Sequence, residues 1–153
     1  MEKHPNCELY KGWVKAGYLK LCKGDIIDYQ QIVDDILKMA NYLCIMGIGY
    51  DPYKSAEFVN LLSSSVGGEA DIINPVKQTY GTFTSPVESF EIAIYSNKIS
   101  FDPNPITPYC FANAILDEDR NCNKKPIKKT HNAKIDSTIT NLMTFHLFNN
   151  LTS

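Results

Sequence analysis

One stretch of the chain, residues 43–51, constrains the fold more than any other. It reads LCIMGIGYD, so that an almost wholly apolar run ends in Asp51, and Pro52 follows at once. A run this short and apolar predicts a strand over residues 43–50 that is buried on both faces of a sheet. Its glycines would let a neighbouring element approach the backbone closely. We therefore expect the rest of the chain to fold around this strand.

Asp51 stands where the predicted strand stops. The carboxyl ends of strands are where open α/β sheets bind ligands, so a carboxylate at this position is a candidate site residue. An Asp followed by Pro is also common in turns. A purely local turn role for Asp51 therefore stays open on the sequence alone.

The segments after Asp51 predict a parallel crossover unit. Residues 54–65 carry apolar side chains at helical spacing and stop at Gly67, which is a good helix C-terminal signal. Residues 71–76 form a second strand candidate. Strand, helix and strand with short connections indicate an α/β fold, with a mixed sheet flanked by helices.

Four further helices are expected in front of and behind this unit. They span residues 10–19, 26–41, 86–96, and a last segment that starts at about residue 105 or 107 and ends at residue 116. In the third, Ser85 is predicted as the N-cap and Pro86 as the first helical residue. We expect Trp13 to pack in the interior, and we expect residues 1–9 to be disordered.

Basic residues concentrate just before the last predicted helix. Residues 117–134 contain six of the chain's fifteen Lys and Arg residues, namely Arg120, Lys124, Lys125, Lys128, Lys129 and Lys134. A turn at residues 121–123 predicts a basic hairpin or loop. Asp136 then falls in the first turn of the final helix, where the helix dipole favours a carboxylate, so an N-cap role for Asp136 is also open.

Composition bounds the remaining possibilities. A length of 153 residues fits one domain, and a formal net charge of −2 neither requires nor forbids a nucleic-acid partner. The five cysteines are odd in number and lack metal-binding spacing, which favours reduced thiols in the cytoplasm. No apolar run reaches membrane-spanning length, so no membrane partner is expected.

Metal chemistry is the best supported chemistry on these residues. Phosphate-binding and dinucleotide-binding glycine motifs are absent, and the three histidines lie in no recognisable catalytic setting. Hard cations such as Mg²⁺ and Mn²⁺ bind through a few carboxylates that converge from distant sequence. Asp51 and Asp136 fit that description, and the basic segment could neutralise DNA phosphates beside them.

Five ordered segments give the chain a family resemblance. They are GWVKAGYLKLCKGDIIDYQQI, IMGIGYDPYKSAEFVNLL, VKQTYGTFTSPVESFE with Gln78, PITPYCFANAILDEDRNCNKKPIKK with Asn113, and AKIDSTITNLMTFHLF. Over residues 10–150 this order resembles the C-terminal nuclease domain of the large terminase subunit of tailed bacteriophages, the DNA-packaging motor. Five motifs in order are far more specific than any one of them.

The resemblance implies a ribonuclease H-like fold and a hydrolase that cuts double-stranded viral DNA with two Mg²⁺ or Mn²⁺ ions. Asp51 and Asp136 would be catalytic metal ligands, with Gln78 and Asn113 as supporting residues. The implied DNA-binding residues are Lys124, Lys125, Lys128, Lys129 and Lys134. Implied partners are double-stranded DNA, the small terminase subunit and the portal, in the cytoplasm of a bacterial host.

The resemblance also has a departure. In the family, another metal-binding Asp on a first strand and a whole ATPase domain precede the Trp-containing helix. We therefore expect a partial nuclease domain, with little activity alone, that the missing terminase segment or ATPase domain would complete. A non-catalytic remnant that binds DNA or protein is the alternative, and a degenerate product without activity is a third.

Overall fold

The computed structural model describes residues 6–152, with the side chains of residues 68–70 left aside. Helices alternate with short strands, as expected for an α/β fold. The elements in chain order are α1 (Cys7–Lys15), α2 (Tyr29–Ala40), β1 (Ile48–Tyr50), α3 (Ala56–Val66), a 3-10 helix (Gly67–Ile72), β2 (Ile73–Pro75), α4 (Tyr80–Tyr95), α5 (Ile106–Ala112), β3 (Ala114–Glu118), β4 (Lys124–Lys128) and α6 (Asp136–Leu151).

The predicted parallel crossover unit is confirmed. Strands β1 and β2 pair in parallel, with Ile48 opposite Ile73 and Tyr50 opposite Pro75, and helix α3 connects them. The backbone N–H of Val76 donates to the carbonyl oxygen of Tyr50 at 2.8 Å, which carries the pairing past Pro75. The crossover places Asp51 at the carboxyl end of β1.

The predicted length and burial of the first strand are wrong. Strand β1 covers only Ile48–Tyr50, and the run before it is open, with Leu43 61% and Met46 66% exposed. Within residues 6–152 the one strand that pairs with β1 is β2, which has three residues. Residues 43–47 therefore have no strand within residues 6–152 to pair with.

The strands form two separate ladders across residues 6–152 in place of the single mixed sheet that was expected. One is the parallel pair β1–β2 and the other is the antiparallel pair β3–β4. Helices α4 and α6 lie between them in the packing and carry most of the core. Its buried residues are Val76, Phe83, Val87, Phe90, Leu142 and Met143.

Aromatic contacts hold this core together. The Phe90 ring meets Phe145 edge-on, with centroids 4.9 Å apart, and stacks on Phe111 at 5.6 Å. Such offset and edge-to-face pairs add stability beyond the area they bury. Phe90 of α4 therefore contacts both α5 and α6.

Gly49 is the point of closest approach between β1 and α6. A Cβ atom built on Gly49 would lie 3.0 Å from Cδ1 of Leu147 and 3.3 Å from Cγ2 of Val76. The expectation that a glycine admits a close neighbour is confirmed here, although the neighbours are side chains. The absent side chain lets α6 pack directly on the strand that leads to Asp51.

The predicted start of α4 is wrong by six residues. The helix begins at Tyr80, and the N-cap is Thr79, whose side chain accepts a hydrogen bond from the N–H of Thr82 at 3.1 Å. Pro86 therefore lies inside the helix and is buried in the core. The Ser85–Pro86 pair is typical of a helix start, but the cap at Thr79 satisfies the free N–H groups earlier.

The end of the following helix and the start of the hairpin also differ from expectation. Helix α5 ends at Ala112, and Leu116 lies in β3 opposite Pro126 of β4. The hairpin turn at residues 121–123 is present. The Asp119 carboxylate accepts hydrogen bonds from the N–H groups of Asn121 and Asn123 at 2.8 and 2.9 Å, which closes the turn.

The N-terminal helix behaves as predicted for its tryptophan. Trp13 is buried, and its ring meets Tyr109 edge-on at 5.1 Å, so its role is packing. Helix α1 begins at Cys7, while residues 1–5, part of the segment expected to be disordered, lie outside the described residues. All five cysteines are free, as expected, and no helix described here could cross a membrane.

We predict that Gly49→Val destabilises the protein by about 1–3 kcal/mol, because the new methyl groups would overpack the contact with Leu147 and Val76. Gly12→Ala is the matched control, since a Cβ there meets nothing within 4 Å and alanine favours the helix. Urea unfolding followed by circular dichroism measures both. Equal stability of Gly49→Val and wild type would contradict the close packing of β1 on α6.

We predict that Thr79→Ala lowers the free energy of unfolding by about 1 kcal/mol, because it removes the N-cap of α4. Ser85→Ala is the matched control and should change stability by less than about 0.5 kcal/mol, since Ser85 is an exposed residue inside the helix. The same unfolding measurement decides between them. The reverse order would restore the helix start that the sequence suggested.

Candidate functional site

Asp51 and Asp136 line the same groove, which has a volume of about 840 Å³. Strand β1 delivers Asp51 to it, and Asp136 is the first residue of α6. Gln78, Lys125 and Lys128 line the groove as well. Much of the remaining wall is apolar or aromatic, and it includes Ile27, Tyr29, Ile32, Tyr50, Tyr53, Phe58, Ile127, Ile135, Ile139 and Met143.

Both carboxylate oxygens of Asp51 are held in place. Oδ1 accepts a hydrogen bond from the backbone N–H of Tyr53 at 3.0 Å, and Oδ2 accepts one from Nε2 of Gln78 at 2.7 Å. The first bond is the local turn that the sequence left open for this Asp-Pro pair. A carboxylate oxygen can accept more than one hydrogen bond or ligand, so the turn leaves acceptor capacity facing the groove.

Asp136 lies in the first turn of α6, where the positive end of the helix dipole favours its carboxylate. The N-cap position belongs to Ile135, and no side chain caps this helix. The N-cap role that stayed open for Asp136 is therefore wrong. The side chain of Asp136 is exposed, and it does not cap the helix.

Cys110 lies close to the start of α6 but does not offer a nucleophile. Its side chain is buried, and burial raises the pKa of the thiol above its ordinary value. A raised pKa keeps the thiol protonated at neutral pH, whereas a nucleophilic cysteine needs the thiolate. Cys110 is therefore not a candidate nucleophile, and Asp51 and Asp136 remain the candidate site residues.

The predicted DNA-binding lysines separate into two groups. Lys125 and Lys128 line the groove that contains Asp51 and Asp136. Lys124 does not line the groove, and its Nζ lies 4.0 Å from Oε1 of Glu88 on α4. Lys129 and Lys134 do not line the groove, but they flank the connection from β4 to α6.

Asn113 acts on that same connection. Its carbonyl oxygen accepts a hydrogen bond from the N–H of Lys129 at 2.8 Å, and its side-chain amide donates to the carbonyl oxygen of Lys134 at 3.4 Å. Asn113 thus touches both ends of the loop that leads to Asp136. Gln78 contacts Asp51 directly, whereas Asn113 lies outside the groove lining.

Tyr80 and Asp117 are contacts of this site that sequence reasoning missed. The Tyr80 hydroxyl donates to Oδ2 of Asp117 at 2.5 Å, which raises the pKa of Tyr80, and Nζ of Lys125 lies 5.8 Å from the centre of the Tyr80 ring. Tyr80 stands two residues after Gln78, which was a usable signal. The contact to Asp117 could not be foreseen because it depends on where the hairpin docks.

The donor set bears on which metal ions could bind. Across residues 6–152 no group of three or more His, Cys, Asp or Glu side chains could hold a metal ion. Asp51 and Asp136 both line the groove, and carboxylate oxygens are the ligands that Mg²⁺ and Mn²⁺ prefer. These two acids do not make up the ligand set that a pair of ions would need.

Two comparisons with known sequences give a matching family and a relative. The family model described as terminase large subunit, endonuclease domain, matches residues 2–150. Protein YmfN of Escherichia coli (strain K12) is 28% identical over an alignment of 147 residues, and the alignment covers 93% of this chain and 31% of that protein.

A solved structure shares the fold. The crystal structure of the HK97 bacteriophage large terminase aligns with a TM-score of 0.80 at 20% sequence identity, over 90% of this chain and 28% of that one. The chain thus spans less than a third of either relative. Since the family model covers nearly all of it, the chain belongs to the terminase large subunit endonuclease domain family.

Proposed function

We propose that this chain carries the cutting site of a metal-dependent endonuclease that hydrolyses phosphodiester bonds of double-stranded viral DNA during genome packaging. Family membership supports a nuclease role in packaging. The observation that carries the finer proposal is the groove itself, which brings Asp51, Asp136, Lys125 and Lys128 together from three separate parts of the chain. Acidic and basic side chains in one groove suit a metal ion beside a phosphate.

The two acids of the groove and the two groups that bond to Asp51 have distinct roles in this proposal. Asp51 and Asp136 supply oxygen ligands to Mg²⁺ or Mn²⁺, and a bound ion would stabilise charge on the phosphoryl group and activate water. Gln78 and the N–H of Tyr53 hold the Asp51 carboxylate in one orientation. Hydrogen-bonded partners of metal ligands commonly tune affinity in this way.

The fold around the groove is consistent with a ribonuclease H-like domain. Asp51 follows a strand in a parallel crossover, and Asp136 begins a helix that packs on that same strand. With two ions, a further carboxylate would have to join Asp51 and Asp136. We propose that another segment of a terminase supplies it, and that the small terminase subunit and the portal are partners of the assembled protein.

We predict that the chain binds Mn²⁺ and that Asp51→Asn weakens this binding at least about tenfold, since even outer partners of metal ligands contribute that much. Gln78→Ala should weaken it by about tenfold through the lost hydrogen bond to Asp51. Isothermal titration with Mn²⁺ measures affinity, and nicking of supercoiled plasmid in Mn²⁺ measures cutting.

Asp34→Asn is the matched control for these variants, because Asp34 is an exposed acid of α2 bonded only locally to Gln30 at 2.8 Å. It should bind Mn²⁺ and nick DNA as wild type does. If neither Asp51→Asn nor Asp136→Asn changes the Mn²⁺ affinity, the metal site does not lie in this groove.

A second function, DNA binding without cleavage, is favoured by one observation. The described residues contain no cluster of three metal-ligating side chains, whereas the basic side of the groove needs no metal to hold a phosphate backbone. Under this second function, Lys125 and Lys128 bind DNA, and the Asp51 carboxylate only stabilises the turn at Tyr53. Salt-dependent DNA binding with no cutting in Mg²⁺ or Mn²⁺ would support it over the nuclease.

We predict that Lys125→Gln and Lys128→Gln each reduce the slope of log Kd against log salt concentration by about 0.9, because each removes one phosphate contact. Lys98→Gln is the matched control, since Lys98 lies after α4 and does not line the groove. Fluorescence anisotropy with a labelled duplex in EDTA measures the slope. A slope unchanged in both groove variants would place the DNA elsewhere.

A further inference from the structure

Three side chains meet where the basic hairpin docks on α4. The Tyr80 hydroxyl donates a 2.5 Å hydrogen bond to Oδ2 of Asp117, and Nζ of Lys125 lies 5.8 Å from the centre of the Tyr80 ring. Asp117 on β3 and Lys125 on β4 are directly opposite each other in the antiparallel ladder. Lys125 also reaches the groove that contains the two acids.

The opposition of Asp117 and Lys125 would ordinarily favour an ion pair. Directly opposed residues on one face of a ladder have Cβ atoms about 5 Å apart, and opposite charges there attract. Yet the ion pairs within residues 6–152 join Lys11 to Glu8, Lys20 and Lys38 to Asp35, and Lys124 to Glu88, and none of them uses Lys125. Oδ2 of Asp117 is instead engaged by a phenol.

The Tyr80 ring gives Lys125 a different partner. The face of an aromatic ring attracts a cation through its quadrupole, and at an exposed site this attraction is weak. The ring restrains the ammonium group but does not neutralise its charge. A carboxylate partner would neutralise it. Within residues 6–152, Lys125 therefore enters no ion pair at the edge of the groove.

We propose that Tyr80 is a positioning residue for DNA: its hydroxyl keeps the Asp117 carboxylate from pairing with Lys125, and its ring holds the Lys125 ammonium where a DNA phosphate can bind. This inference rests on the proposed function, because it takes the groove to be the DNA site. Tyr80 acts through Lys125 and need not touch the DNA itself.

The hairpin has attachments that do not depend on the Tyr80 hydroxyl. The N–H of Lys124 donates to Oγ1 of Thr84 at 2.9 Å, and that hydroxyl donates to the carbonyl oxygen of Tyr80 at 2.8 Å. Pro126 of β4 is buried. Tyr80→Phe should therefore leave the hairpin in place while it frees the Asp117 carboxylate.

The first test is duplex binding by Tyr80→Phe. We expect this variant to bind a fluorescein-labelled duplex in EDTA roughly two- to fivefold more weakly than wild type, because Asp117 then competes for Lys125. The slope of log Kd against log salt concentration should fall by up to about 0.9, the value of one phosphate contact. Tyr95→Phe is the matched control, since Tyr95 is an 86% exposed residue at the other end of α4.

The second test separates positioning from a general structural effect. Tyr80→Phe combined with Asp117→Asn should bind as tightly as Asp117→Asn alone, because an amide cannot neutralise Lys125. In a Lys125→Gln background, Tyr80→Phe should have no effect on Kd. Thermal unfolding of every variant establishes that the folded fraction is the same in all titrations.

The outcomes distinguish this inference from the function it rests on. If Lys125→Gln weakens duplex binding but Tyr80→Phe does not, or if Tyr80→Phe weakens it equally in the Asp117→Asn background, the positioning role of Tyr80 is wrong and the DNA site stands. If Lys125→Gln alone leaves duplex binding unchanged, only the positioning role is overturned. If Lys125→Gln and Lys128→Gln both leave it unchanged, the positioning role and the proposed DNA site are overturned together.

Discussion

The packing of strand β1 on helix α6 at Gly49 is the contact on which the candidate site depends. With no side chain at Gly49, Leu147 comes to within 3.0 Å of where a Cβ would lie, and Val76 closes the other side at 3.3 Å. Strand β1 then carries Asp51 into the groove that Asp136 enters from the start of α6. A bulkier residue at position 49 would separate the two elements that bring these acids into one groove.

The second organising feature is the start of helix α4. Within three residues, Gln78 binds Asp51, Thr79 caps the helix, and Tyr80 binds Asp117 of the hairpin. The acidic and basic sides of the groove are therefore tied to one short segment. A change at the start of α4 can therefore reach both Asp51 and the hairpin.

Local patterns were enough to find some of these elements. The crossover unit, the turn at residues 121–123 and the position of Asp51 at a strand end follow from apolar runs and from Gly, Pro and Asn signals. The ordered motifs also identified the terminase nuclease family, which the family match over residues 2–150 confirms. These features depend on neighbouring residues, so the sequence specifies them directly.

Features that depend on distant contacts could not be read in advance. The Ser85–Pro86 pair has the form of a helix start, but Thr79 caps the helix first and Pro86 is buried in the core. The apolar run at residues 43–47 predicts a longer strand, yet strand length depends on which partner lies beside it. The meeting of Tyr80, Asp117 and Lys125 follows from the docking of the hairpin, which no local pattern encodes.

We propose that Asp51 and Asp136 hold a divalent metal ion in the groove that also binds DNA. Family membership and the shared groove support a nuclease, and two carboxylates suit one hydrated hard cation. The most direct measurement is anomalous diffraction from crystals of the chain soaked in Mn²⁺. We predict an anomalous peak in contact with both Asp51 and Asp136, and a groove without a peak while Mn²⁺ binds elsewhere would contradict the claim.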